Sequence, residues 1–439
     1  MVLVKIMRED SHSKRLKDAG YKGIFFNLGV FQFLSFLRRG IFYTFMINYL
    51  YQLMKTVTYT AMLGTFNMIA SSLGQNFLWG KISDKYRLRA ELIVAGELIA
   101  GCTYIIVFLI HKTLIDASSY FKAGLIIIIG LSILEFFWSM SDVGWAALLT
   151  DITTPSIRGS IVGALNFIAS IGRTIGVIIA GFMYNDGEGF KNGTIFYAVT
   201  VLLFIGAILM AFTSKRLRTR RKPHSEALLT KSASKIEGRR YEEKIYFWFL
   251  ISLVIIILGY ASISQAFLLY LENPQGLNAN ETEMSLILTA WTISGMITSL
   301  VAGKLADKIG RIKVILMGLS LAIVTPLLYT VASNSLEMAI FYGFNGVAFW
   351  TLQTVGFAFA GDIVPENKRG RFLSRYNAVM ALTWGPAGLL IGGPLADFQI
   401  KHLRIPEASA YRNTFYSSSL IVMLGTILFI LKIARKTRE

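Results

Sequence analysis

From residue 23 onward the chain alternates long apolar runs with short polar interruptions. Twelve runs can be drawn, at 23–51, 58–80, 90–110, 123–149, 160–184, 194–213, 245–271, 284–303, 314–333, 338–360, 373–396 and 414–432. Runs of this length cross a hydrocarbon core of roughly 30 Å as helices, which need about 20 apolar residues at 1.5 Å per residue. The pattern predicts an all-α integral membrane protein with twelve transmembrane helices. The first 22 residues are polar and basic. They lack the short apolar core and small-residue cleavage site of a secretory leader, so they are expected to stay on the cytoplasmic side.

The longest polar interruption, residues 214–244, divides the runs six and six. The expected organisation is an amino-terminal cytoplasmic segment at 1–22, a six-helix bundle at 23–213, a basic linker at 214–244, a second six-helix bundle at 245–433 and a tail at 434–439. Even numbers of crossings place both termini in the cytoplasm. The linker's basic runs either bind anionic lipid headgroups or act only as a solvated topology anchor.

The two halves repeat one another. "GKISDKYRLR" (80–89) follows the second run and "GKLADKIGRIK" (303–313) follows the eighth. "DITTPSIRGSIVGALN" (151–166) pairs with "DIVPENKRGRFLSRYN" (362–377), so that Asp151, Arg158, Gly159 and Asn166 map onto Asp362, Arg369, Gly370 and Asn377 at one offset. Two loop motifs at matching places in two six-helix halves indicate a duplicated bundle, its halves related by an axis along the membrane normal. At such turns Gly80 and Gly303 permit close backbone approach, while Asp84 and Asp307 can meet helix amino termini and basic side chains. These contacts either gate one side of the bundle or merely set topology.

Polar residues inside the runs mark candidate function. Ionisable groups at bilayer depth cost from a few to more than about ten kcal/mol each, so they persist where protein or water satisfies them. Six are present, Arg38, Arg39, Glu97, Glu135, Asp142 and Arg173, all in the first half; the second half carries Gln265, Asn345 and Gln353 instead. At 100° per residue, Asn27, Gln32, Ser35, Arg38, Arg39 and Tyr43 share an arc of roughly 160°. Ser132, Glu135, Ser139 and Asp142 form a stripe on the fourth run, and Asn166, Ser170 and Arg173 another on the fifth. Three polar stripes at mid-depth predict an aqueous cavity. Under the repeat offset Asp142 corresponds to Gln353 and Arg173 to Trp384, so charge in one half faces amide and aromatic surface in the other. Glu135 and Asp142 are the candidates for proton coupling, since burial and the approach or departure of an arginine shift a carboxylate's proton affinity. A structural ion pair with Arg38 or Arg39 is the alternative.

Composition adds one exclusion. The net charge is +18 although only 16% of residues are charged, against about 25% in an average soluble domain. Of the 44 Lys and Arg, 34 fall on the linker's side of the expected membrane, counting Arg375 and Lys432 at run ends, 7 on the opposite side and 3, Arg38, Arg39 and Arg173, deep within runs. This asymmetry is the positive-inside pattern, and it accounts for the charge without nucleic acid. The single cysteine and four scattered histidines offer no metal cluster. There is no Gly-x-x-x-x-Gly-Lys-Ser/Thr loop for ATP and no nucleophile motif, so neither a nucleotide-driven pump nor an enzyme is expected.

The Gly-x-x-x-Asp loops and the Asp-x-x-Pro-x-x-x-Arg-Gly loop resemble those of the major facilitator superfamily, and the resemblance covers essentially the whole chain in motif order, length and topology. The second copy, Gly303, Asp307, Lys308, Gly310 and Arg311, is close to the family pattern. The first departs from it, with Arg87 where a glycine is expected and Leu88 at the next basic position, so a differently shaped turn is expected there. The resemblance implies that the first, fourth, seventh and tenth helices line a central cavity, with the fifth and eleventh beside them. Its residues would then include Gln32, Arg38, Arg39, Arg173, Gln265, Asn345, Gln353 and Trp384. It also implies gate positions at Gly80, Asp84, Arg87, Asp151, Arg158, Gly303, Asp307, Arg311, Asp362 and Arg369. The expected function is secondary transport of a small solute by alternating access, driven by an ion or solute gradient such as protons, without a cofactor, by a monomer in the cell membrane. The arginines point to an anionic solute and the carboxylates to export of a cationic one. Exchange or uniport without protons, and a non-transporting sensor on the same fold, are the alternatives.

Overall fold

The computed structural model describes residues 19–153, 155–220, 243–364 and 369–434. The expected amino-terminal segment, basic linker and tail therefore lie largely outside the described residues, as do the side chains of Arg158 and Arg369. The described chain is helical. The first half comprises α1 (Ala19–Tyr43), α2 (Met46–Met54), α3 (Val57–Leu73), α4 (Ala90–Asp116), α5 (Tyr120–Ile152), α6 (Pro155–Tyr184) and α7 (Thr194–Arg220). The second comprises α8 (Glu243–Ser262), α9 (Ser264–Glu272), α10 (Glu281–Ile309), α11 (Arg311–Tyr329), α12 (Ser335–Asp362), α13 (Arg369–Ala387) and α14 (Glu407–Phe429). Wide π-turns at Gly74–Trp79 and Gly388–Gly392 carry α3 on to Tyr86 and α13 on to Lys401.

By length and hydropathy, eight helices among the described residues can cross a membrane, or nine if α10, which bends by 44°, is counted as one span. The helices that fall short, α1, α3 and α12, are those diluted by amides, glycines or arginines such as Gln32, Arg38, Arg39, Asn67, Asn345 and Gln353.

Within the first half α1 packs on α6, α4 on α5, and α7 on both α4 and α1; within the second α12 packs on α10 and α11, and α8 on α13 and α14. The halves meet along α6 with α10 and α3 with α13. One end of the bundle, the motif side, holds the 80–89, 151, 303–313 and 362 motifs; the other is termed the far side. The first helix of each half breaks toward the far side. Thr44 turns its hydroxyl onto the Gly40 carbonyl before α2 begins, and Ile263, with φ −89° and ψ −3°, separates α8 from α9.

In "SIGRTIGVIIAG" (170–181) Gly172 and Gly176 serve contacts within the first half. A Cβ on Gly176 would stand 2.3 Å from the Leu37 carbonyl oxygen and 3.0 Å from the Gly40 Cα, both in α1. Gly181, Gly385 and Gly393 lie against the opposite half, at Ser285, Met68 and Thr58. Because the Leu37 oxygen is backbone and cannot rotate away, Gly176→Val is expected to destabilise the protein by about 3 kcal/mol or more through overpacking. Gly163→Ala, where a Cβ meets nothing within 4 Å, should leave the melting temperature of the purified protein unchanged.

Candidate functional site

A cavity of about 230 Å³ lies between the halves. The first half contributes Arg39 and Tyr43 from α1 and Arg173 from α6; the second contributes Tyr260 from α8, Trp291 from α10, Asn345 from α12 and Trp384 from α13. Both helix breaks reach it, through Thr44 and Ile263. The Arg39 guanidinium carbon stands 4.2 Å from the Trp138 ring centre, and that of Arg173 stands 5.5 Å from Trp291, across the divide between halves. Such stacking is favourable but weak. Neither guanidinium has an ion pair or hydrogen bond to a described residue.

The adjacent arginines part company. A step of 100° along α1 turns Arg38 away from the cavity into the body of the first half, where it is 1% exposed. Its Nη1 donates to the Tyr104 hydroxyl at 3.1 Å, and its guanidinium lies 5.0 Å from the same Trp138 ring that stacks on Arg39. Glu97, equally buried, accepts from Trp138 Nε1 at 2.7 Å and from Ser141 at 2.9 Å. Arg38 therefore lies inside the first half, within electrostatic reach of Glu97 but in no ion pair with it, and is not a cavity residue.

The carboxylates sit beside the cavity rather than on its wall. Glu135 accepts from the Tyr43 hydroxyl at 2.9 Å, which ties it to a lining residue. Asp142 is half-buried and lies within electrostatic reach of Arg39, Glu135, Glu97 and Arg38, without an ion pair to any of them. In the second half Asn345 accepts from Tyr260 and donates to Thr325 at 3.4 Å. Gln265 is buried against Gly388 and accepts from Ser264, and Gln353 is half-buried with its Oε1 unpartnered; neither lines the cavity. Gln32 is buried and likewise outside it. Of the aromatic wall, Trp384 is where the repeat offset expects it, whereas Tyr260, Trp291 and Tyr342 are not singled out by the sequence patterns. Tyrosine and tryptophan at mid-span, each carrying a polar atom that a lipid tail cannot satisfy, were the available signal.

At the motif side each half closes a cation on an aspartate at the end of a helix, Asp151 of α5 and Asp362 of α12. Arg89 bonds Asp151 at 3.0 Å, Asp84 at 3.4 Å and the Ser83 carbonyl at 3.0 Å; Arg311 bonds Asp362 at 2.7 Å. Arg87 instead occupies the turn, exposed, at φ 51° and ψ 33°, where Gly310 takes φ 98° and ψ 140°. Arg87 thus fills a left-handed position open to non-glycine residues at modest cost, and the guanidinium that reaches Asp151 comes two residues later. Asp307 is exposed, Gly303 has open space around it, and a Cβ on Gly80 would stand 2.9 Å from the Gln75 carbonyl.

At the far side the halves are bonded directly. Asp397, buried in the continuation of α13 toward Lys401, accepts from Val57 N at 3.0 Å, Thr58 N at 2.9 Å and Thr58 Oγ1 at 2.5 Å, and so caps the amino terminus of α3 in the other half. Lys401 donates to Thr56, Asn48 to Glu272, Tyr51 to Glu407, and the Asp186 amide to Glu281. Thr65 to the Gly385 carbonyl is the cross-half bond lying deepest toward the motif side. Between described residues, no hydrogen bond joins the halves at the motif side.

Residues 28–280 and 274–439 match the family model described as Major Facilitator Superfamily. The multi-drug resistance efflux pump PmrA of Streptococcus pneumoniae is 24% identical over 352 residues, 80% of each chain. An uncharacterized MFS-type transporter of Mycobacterium tuberculosis is 29% identical over 116 residues, 26% of this chain but only 17% of that protein, so this match spans about a sixth of that relative's length. Among solved structures, a bacterial homologue of the iron transporter ferroportin in an inward-facing state superposes with a TM-score of 0.67 at 16% identity, covering 93% of this chain and 98% of that one. A bacterial homologue of the human lysosomal transporter Spinster gives 0.62 at 12% identity, covering 95% and 97%.

Proposed function

Since the chain belongs to the major facilitator superfamily, a family of membrane transporters and not of enzymes, we propose that it is a proton-coupled secondary transporter that moves a small organic solute by alternating access. The observation that carries this reading is the placement of the cross-half bonds. A cavity lined by both halves is bonded shut at the far side and free of such bonds between described residues at the motif side. Rocking the halves about the cavity exchanges one closed end for the other. In this proposal twelve helices cross the cell membrane, the motif side and both termini face the cytoplasm, and a monomer works without cofactor, metal or nucleic acid.

Proton coupling rests on Asp142 and Glu135, which stand where a charged cavity residue can approach or leave them. When Arg39 moves off toward solute, the negative form of Asp142 loses its nearest support and takes up a proton. Asp142→Asn is therefore expected to abolish the dependence of flux on a pH gradient while leaving counterflow of unlabelled against labelled solute intact. Proteoliposome uptake and counterflow with anionic metabolites and cationic drugs, with and without a pH gradient, measures both. Gradient dependence that survives the substitution removes Asp142 from the proton path, and absence of flux for every solute in the panel counts against transport.

A further inference from the structure

We propose that the central cavity takes a small organic anion built on a single aromatic ring, such as an aromatic carboxylate or phosphate; this inference deepens the transport reading and rests on it. Arg39 and Arg173 come from different helices, face one cavity and lie within electrostatic reach of each other. Two like charges held together without a counter-charge form an incomplete arrangement. No carboxylate lines the cavity, and the nearest acids, Glu135 and Asp142, pair with neither guanidinium.

The remaining polar groups of the lining are largely spoken for. Thr44 donates to the Gly40 carbonyl, Ser264 to the Ala261 carbonyl, Tyr43 to Glu135 and Tyr260 to Asn345. Uncommitted toward the cavity are the two guanidinium groups, which donate hydrogen bonds and accept none, and the hydroxyls of Tyr329 and Tyr342, which can do either. A ligand that satisfies the guanidiniums must accept, and a planar carboxylate or a phosphate matches their geometry in two-point fashion. Opposite them stands a wall of Tyr260, Trp291, Tyr342 and Trp384, with Trp384 5.6 Å from Tyr260 and tilted by 42°. These ring faces suit an apolar, planar body.

Size narrows the class. A cavity of about 150 Å³ accommodates benzene, so about 230 Å³ holds one ring and an acidic head but not a fused polycyclic drug. A single-ring cation would place its charge against the two guanidiniums with no carboxylate on the wall to receive it.

Isothermal titration of the full chain in nanodiscs tests this with four probes: benzoate, phenylphosphate, hexanoate as an anion without a ring, and benzyltrimethylammonium as a ring with positive charge. Benzoate or phenylphosphate is expected to bind at least tenfold more tightly than hexanoate, with no measurable heat from the cation. Arg39→Gln and Arg173→Gln should each weaken benzoate at least tenfold, while Arg39→Lys and Arg173→Lys recover part of the loss. Cation binding as tight as that of benzoate, failure of both aromatic anions to bind the unaltered protein, or unchanged benzoate affinity in both glutamine variants overturns the proposal. Counterflow of labelled benzoate separates it from the transport reading. Binding without counterflow retains the anion site and counts against transport, whereas flux of cations without benzoate binding does the reverse.

Discussion

Replacing Asp397 with alanine shifts the protein toward a form parted at its far side. One carboxylate there takes two backbone amides and a hydroxyl from the first turn of α3, across the boundary between halves. Hydrogen bonds to a charged acceptor contribute about 1.5–3 kcal/mol each, and the helix dipole adds to them. Water reaching the freed amides in the parted form recovers much of this. A net change of about 2–3 kcal/mol still moves the equilibrium between closed and parted far sides roughly 30- to 150-fold. Spin labels on Ala117 and Ser333, exposed residues of the far side in opposite halves, introduced as cysteines in a Cys102→Ser background, report the change as a longer-distance population. Lys401→Ala, which removes a single bond to Thr56, should move the same distribution much less. An Asp397→Ala distribution matching that of the unaltered protein would falsify the latch.

Asp397 also marks where sequence reading stops. The apolar runs and the doubled motifs give helical class, two halves and the places where loops gather, because lipid imposes length and hydropathy on every crossing. They give no contact between halves. Asp397 falls one residue beyond the expected eleventh run and has no counterpart in either motif, so nothing in its neighbourhood points to Val57 or Thr58. Arg89 was hidden for a related reason. Strict repeat register sets Leu88 opposite Arg311, and the first half restores the cation one residue later, after a turn made by Arg87 in place of Gly310. A register comparison reads that as a missing residue, whereas the folded turn brings Arg89 to the same partner that Arg311 has in the other half. The cavity's charged wall was legible in Arg39 and Arg173 because a charge in an apolar run demands an explanation. Of its aromatic wall only Trp384 was legible, through the repeat offset from Arg173; Tyr260, Trp291 and Tyr342 were not, because tyrosine and tryptophan in an apolar run fit lipid, core and cavity alike.

Arg38 and Arg39 illustrate the limit of a helical wheel, which assigned both to one polar face, and they supply the second large effect. Arg38→Met is expected to cost about 1–3 kcal/mol of stability, since it removes the charged donor to Tyr104 and leaves the Glu97 carboxylate in the interior without the buried cation in its electrostatic reach. The loss should appear as a lower melting temperature in detergent, with any surviving transport in proportion to folded protein. Adding Glu97→Gln removes that charge while leaving its oxygen to accept from Trp138 and Ser141, so the double variant should melt above Arg38→Met. Arg39→Met should behave oppositely, keeping the melting temperature within a few degrees while transport falls at least tenfold, because its guanidinium is bound to no described residue and faces the cavity. Equal melting temperatures for the two single variants would dissolve the distinction, and full transport by Arg39→Met would remove that residue from the solute path. The difference follows from one step of 100° along a helix, which sends one guanidinium toward Tyr104 and its neighbour to the wall of the cavity.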